Sequence, residues 1–184
     1  MTTLDIFIHM DAVDRKEWQG AADDRPLTDA GKRQAERIAK ELGAAPVQGI
    51  FSSPALRCRQ SLEPISKACN LPITVLPGFK DTLGYKAPAG WENPDRPGGD
   101  PLGGAQSAGS AFAALRDIQT QVGDGHAVLC SYGDIVPALL ALLSGIYGID
   151  MPARNNKKGA VFTVQLDGET VRMSSREPAA DFPR

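Results

Sequence analysis

Short apolar runs alternate with amphipathic stretches along this chain, and that alternation sets the expected fold. Leu4, Ile6, Phe7 and Ile8 form a compact apolar run, read as a buried strand that ends at His9. Met10 to Pro26 is polar and charged, and reads as a loop. Thr28 is placed to cap a helix, because its hydroxyl can accept an orphan first-turn N–H. Ala35, Ile38, Ala39 and Leu42 share one face of that helix, and Gly43 is its expected stop. Val47 to Ser52 reads as a second strand. Ser53 is the expected cap of the next helix, with Pro54 at its first position and its end near Cys69. Leu71 to Leu76 reads as a third strand. Lys80 to about Gly104 is rich in Gly and Pro, a long loop of the kind that is functional or disordered. Gln106 to Val122 is helical by pattern, with Phe112, Leu115, Ile118 and Val122 spaced along it. Ala127 to Ser131 is a buried strand, and Asp134 caps an apolar helix that runs to about Ile146, with Pro137 in its tolerated first turn. Val161–Leu166 and Thr170–Ser174 flank Asp167-Gly168, a hairpin signal. The tail from Arg176 is expected to fray.

Strands alternating with helices imply an α/β fold on a mostly parallel sheet covered on both faces. The length of 184 residues favours one domain. A formal charge of −2, with Lys and Arg spread along the chain, argues against a nucleic-acid surface. No apolar run approaches a membrane span, and the first residues lack the pattern of a signal peptide. The three cysteines, Cys58, Cys69 and Cys130, lack C-x-x-C spacing, which fits neither a disulfide framework nor a zinc site. Cys58 and Cys69 share a helical face with Leu62 and Ile65 and read as core thiols. Reducing cytoplasm is the expected compartment.

Three polar groups follow strands in this reading. His9 ends the first, Arg57 lies in the first turn after the second, and Tyr132-Gly133-Asp134 follows the strand ending at Ser131. A parallel sheet gathers such groups at one edge, where a helix N-terminus and an arginine fork suit a phosphate. A neutral imidazole beside a held phosphate can attack phosphorus. Each group also has a structural reading: a satisfied histidine, a surface arginine, a core tyrosine.

Longer segments add to this. RPLTDAGKRQA at Arg25 to Ala35 resembles L-T-x-x-G-x-x-Q-A. FSSPALRCRQS at Phe51 to Ser61 resembles S-S-P-x-x-R-x-x-Q-T, and VLCSYGDIVPALL at Val128 to Leu140 resembles a strand-H-G-helix segment. These are motifs of the histidine phosphatase, or phosphoglycerate-mutase-like, superfamily. Within it the chain is similar to small SixA-type phosphohistidine phosphatases and to the phosphatase half of actinobacterial Nudix–phosphatase fusions, whose pattern Arg15 and Trp18 also match.

The resemblance implies a three-layer α/β/α sandwich. It implies that His9 is the nucleophile, Arg57 the phosphate clamp and Asp81 the proton donor, on a loose alignment. Ile8 stands where the family has its first phosphate-binding arginine, Tyr132 where it has a second histidine, and Met10 where a glycine is usual. Tyr132 and Arg15 are then candidate phosphate contacts, and Arg25 a structural partner of the first helix or a pocket residue. Trp91 is a candidate lid or a packing residue. His126 cannot replace the second histidine, because it lies six residues before Tyr132 on one strand, roughly 20 Å away. No metal or organic cofactor is implied. Three functions follow as expectations. One is a weak or specialised phosphatase acting on a phosphomonoester or phosphohistidine protein. Another is an inactive relative that binds a phosphorylated ligand or a protein partner. The third, less favoured in so short a chain, is a mutase. Neither nucleic acid nor membrane is expected as a partner.

Overall fold

The computed structural model describes residues 1–80, 89, 101–155, 157–180 and 182. Six strands and four α-helices follow one another as β1 (Thr2–Ile8), α1 (Asp29–Leu42), β2 (Gly49–Ser52), α2 (Leu56–Cys69), β3 (Ile73–Val75), α3 (Pro101–Val122), β4 (His126–Ser131), α4 (Ile135–Tyr147), β5 (Val161–Asp167) and β6 (Thr170–Arg176). The sheet order is β3-β2-β4-β1-β5-β6. The first four strands run parallel, and β5 and β6 add an antiparallel hairpin beside β1. Helices α1 and α2 pack together, as do α3 and α4. The fold is the α/β/α sandwich that the resemblance implies, on the mostly parallel sheet expected from the alternation.

The central strands explain the apolar runs. Leu4, Ile6 and Phe7 of β1, and Ala127 to Cys130 of β4, are fully buried because helices cover both faces. The chain leaves β1 towards α1 and leaves β4 towards α4, which belong to different helix layers. The carboxyl ends of β1 and β4 therefore flank a crevice of the kind where α/β sheets bind ligands.

Several boundaries differ from the sequence reading. Ser53 is not a helix cap: its N–H bonds the Cys130 carbonyl at 3.1 Å, which extends the pairing of β2 with β4, and α2 starts at Leu56 with Ala55 as N-cap. Helix α3 begins at Pro101, five residues before the expected Gln106. Proline is tolerated in a first turn, and the weak propensity of Gly103-Gly104 hid that turn. The other helix starts agree, with Thr28 Oγ1 accepting from Gly31 N–H and Asp134 from Ile135 N–H. At the C-terminal end, Arg176 closes β6 and bonds Glu41 at 2.8 Å, and Phe182 packs against the core.

Among the described residues no helix is long and apolar enough to cross a membrane, and no cluster of His, Cys, Asp or Glu is placed to hold a metal. Cys58, Cys69 and Cys130 are free thiols; Cys58 and Cys130 are buried and Cys69 is half-buried.

Candidate functional site

His9 stands where β1 ends, and its N–H still bonds Ser131 of β4 at 3.1 Å. Its Nδ1–H donates to the Met10 carbonyl at 2.7 Å. A carbonyl only accepts, so the proton lies on Nδ1 and the lone pair on Nε2. Nε2 makes no hydrogen bond among the described residues. Burial, then the charges of Lys158, Arg57 and Arg25, depress the His9 pKa to about 3, against a smaller opposing effect of the Met10 bond. The ring is thus a neutral imidazole with a free nitrogen at neutral pH.

The residues after His9 are fastened from several directions. Met10 N–H donates to Ser61 Oγ at 3.0 Å, and Ser61 in turn donates to the Arg57 carbonyl. Asp11 N–H donates to Gln34 Oε1, and Thr28 Oγ1 donates to the Asp11 carboxylate. Leu27 N–H donates to Gln60 Oε1 at 2.8 Å. A Cβ on Gly31 would lie 1.9 Å from the Asp11 carbonyl oxygen, so only glycine lets α1 approach this closely. These contacts show what the T-x-x-G-x-x-Q and R-x-x-Q-S segments do physically. They hold the strand end at His9 to α1 and α2.

Arg57 is 2 % exposed. One Nη donates to the Ala22 carbonyl at 2.8 Å, while Nε is buried without a partner. The Tyr132 ring lies against the guanidinium, 4.9 Å from its carbon, and the Tyr132 hydroxyl donates to Asp23 at 3.2 Å. Arg15, Arg25 and Arg57 line one cleft of about 90 Å³ with Trp18 and Ala22. Arg25 also donates to the Val13 carbonyl at 2.6 Å. Its pKa is lowered by burial and by the neighbouring charges of Arg57 and Arg15. Arginines crowded against one another in this way create an attractive place for an anion.

The structure therefore brings Arg57, Arg25 and Arg15 to one cleft, lays the Tyr132 ring on Arg57, and sets His9 within the field of Arg57 and Arg25. Ile8 instead lines a second cleft of about 600 Å³, with Gly133, Asp134 and Pro137. Met10 is buried in the core. His126 sits at the other end of β4, bonded to Asp5 at 3.0 Å. Asp81 and Trp91 lie outside the described residues. Sequence reasoning missed Lys158, whose ammonium donates to the His9 carbonyl at 2.6 Å across 149 residues of chain. Its signal is faint: a Lys-Lys-Gly turn just before a strand.

The model of the histidine phosphatase superfamily (branch 1) matches residues 11–85. That span holds the Arg25–Ala35 and Phe51–Ser61 segments whose contacts hold the site together. Over these residues the chain is similar to the histidine phosphatase superfamily. Its match to an 8-oxo-(d)GTP phosphatase of Mycolicibacterium smegmatis is 24% identical over 170 residues, 92% of this chain and 46% of that protein. The chain thus spans about half the length of this relative. Among solved structures, Bacillus stearothermophilus YhfR superposes with a TM-score of 0.71 at 18% identity, covering 94% of this chain and 95% of that one. The protein histidine phosphatase SixA, complexed with tungstate, gives 0.60 at 22% identity over 93% of each chain. A mycobacterial glucosyl-3-phosphoglycerate phosphatase gives 0.66 at 17% identity over 97% of this chain and 98% of that one. These likenesses carry the fold.

Proposed function

We propose that this histidine-phosphatase-family chain hydrolyses a phosphomonoester or phosphohistidine through a phospho-His9 intermediate, with low turnover. The observation that carries the proposal is the His9 tautomer: Nδ1–H is held by Met10 and Nε2 is free, in a ring kept neutral by burial and nearby cations. The Nε2 lone pair attacks phosphorus, and the bond from phosphorus to the leaving group breaks. Water then cleaves the N–P bond, which releases phosphate and restores His9. Arg57 neutralises the equatorial oxygens, with Arg15 and Tyr132 as further contacts. Asp81 is assigned, from sequence alone, the proton for the leaving group.

Turnover is low in this reading because position 8 carries no charge and Tyr132 is neutral. Losing one such stabiliser typically costs on the order of 10²–10³ in rate. One observation favours a second reading, a module that holds a phosphorylated ligand or partner without turnover. The Tyr132 ring covers a face of Arg57 and its hydroxyl is engaged with Asp23, so the residue is built into the arginine cluster.

p-Nitrophenyl phosphate and a phosphohistidine peptide separate the two. Turnover that His9→Ala abolishes supports the phosphatase. Absence of turnover at every pH, with inorganic phosphate still bound in calorimetry, supports the binding module and removes the first reading.

A further inference from the structure

The turn before β5 delivers Lys158 to the backbone of His9. Lys157, Lys158, Gly159 and Ala160 form a tight turn closed by the Ala160 N–H on the Lys157 carbonyl at 3.1 Å. Gly159 takes φ +83°, the left-handed value that a type II turn needs at its third residue. Lys157 N–H is fixed on Asn155 Oδ1 at 3.1 Å. The turn is thus set by its own chemistry, and from it the Lys158 side chain reaches the His9 carbonyl at 2.6 Å.

This lysine is half-buried, and among the described residues no carboxylate lies within ion-pairing distance of its ammonium. Capping one carbonyl does not require a charge; a neutral donor or a backbone N–H would serve. Desolvating an ammonium without a counter-ion is costly. Burial lowers the Lys158 pKa, opposed by the neighbouring Cys130, Asp11 and Cys58, while the Arg25 cation lowers it further. None of these pairs with it directly. Lys158 nevertheless sits on the backbone of the nucleophile, next to a site that lacks a cation at position 8.

We propose that Lys158 adds a further positive charge to the phosphoryl site, anchored on the backbone of His9 and acting on a phosphoryl group bound at His9. The ammonium keeps two N–H donors after bonding the carbonyl. Its charge stabilises a bound dianion and disfavours protonation of the neighbouring imidazole, so it positions and tunes His9 as well. This rests on the phosphoryl-site reading above.

The test uses the full chain as wild type, Lys158→Gln, Lys158→Met, Lys158→Arg and Arg57→Ala. Inorganic phosphate binding is read by calorimetry and the His9 titration by NMR. Lys158→Gln keeps a hydrogen-bond donor and removes the charge. Lys158→Gln and Lys158→Met are expected to weaken phosphate binding at least tenfold and to raise the pH at which His9 titrates, while Lys158→Arg keeps both near wild type. A folded Lys158→Gln with wild-type phosphate affinity and an unmoved His9 titration overturns the proposal, even if its melting temperature falls. If Lys158→Met fails to fold, Lys158→Gln and Lys158→Arg read the same two quantities. Phosphate binding lost in Arg57→Ala but unchanged in Lys158→Gln refutes the role of Lys158 alone. Binding unchanged in both removes the phosphoryl site itself.

Discussion

Replacing Gly31 with alanine tests how the strand end at His9 is held. The new Cβ would sit 1.9 Å from the Asp11 carbonyl oxygen and 2.9 Å from its carbon. A comfortable carbon–oxygen contact is about 3.3 Å, so helix and strand end must separate by roughly 1.4 Å. That movement pulls on the Thr28 N–H bond to the Asp11 carbonyl, the Asp11 N–H bond to Gln34 and the Thr28 hydroxyl bond to the Asp11 carboxylate. Overpacking costs about 1–3 kcal/mol and each weakened hydrogen bond about 1 kcal/mol. Against this, alanine is favoured over glycine inside a helix by about 1 kcal/mol. The net expectation is a destabilisation of about 3–5 kcal/mol, read as a lower urea midpoint at unchanged slope. His9 lies two residues before Asp11, and a displacement of about 1 Å at a reacting group can cost on the order of 10² in rate. Gly133→Ala is the control, because its nearest neighbours are Ile8 side-chain atoms at 3.9 Å. If Gly31→Ala matches or exceeds wild-type stability, helix propensity has outweighed the close approach and the account of this motif is wrong.

Three further outcomes are expected. The folded His9 value of about 3 lies below the ordinary 6.5, so below pH 6.5 the unfolded chain takes up a proton that the folded chain refuses. This contribution to stability is complete above pH 6.5 and is lost as pH falls towards 3. Between pH 7 and 5 the urea midpoint should drop by the equivalent of about 1–2 kcal/mol, and equal slopes in wild type and His9→Gln would contradict it. Arg57→Lys removes the planar fork and the stacking on Tyr132, so inorganic phosphate should bind at least about tenfold more weakly by calorimetry. Ser61→Ala leaves the buried Met10 N–H without its acceptor and should cost about 1–3 kcal/mol in denaturant unfolding; a loss below about 0.5 kcal/mol would show that another group takes its place.

The sequence alone determined the elements and two chemical anchors. Apolar runs such as Leu4–Ile8 and Ala127–Ser131 are local patterns, and strand burial on both faces leaves that pattern directly in the chain. The placement of His9 after β1 and of Arg57 in the first turn of α2 follows from the same local order. Caps at Thr28 and Asp134 were legible for the same reason, whereas Ser53 was not, because its N–H is claimed by a carbonyl of β4 far along the chain. Only the tertiary structure decided what surrounds His9. Its proton is fixed on Nδ1 by Met10, Ser61 and Gln60 tie separate loops to α2, and Tyr132 meets Asp23 across 109 residues. Lys158 arrives from the turn before β5; its Lys-Lys-Gly sequence marks a turn but does not say which backbone that turn will meet. Periodicity encodes which face of an element is buried, but a hydrogen bond between distant segments depends on how those elements pack. The charge around His9 and the protonation state of its ring are properties of that packing.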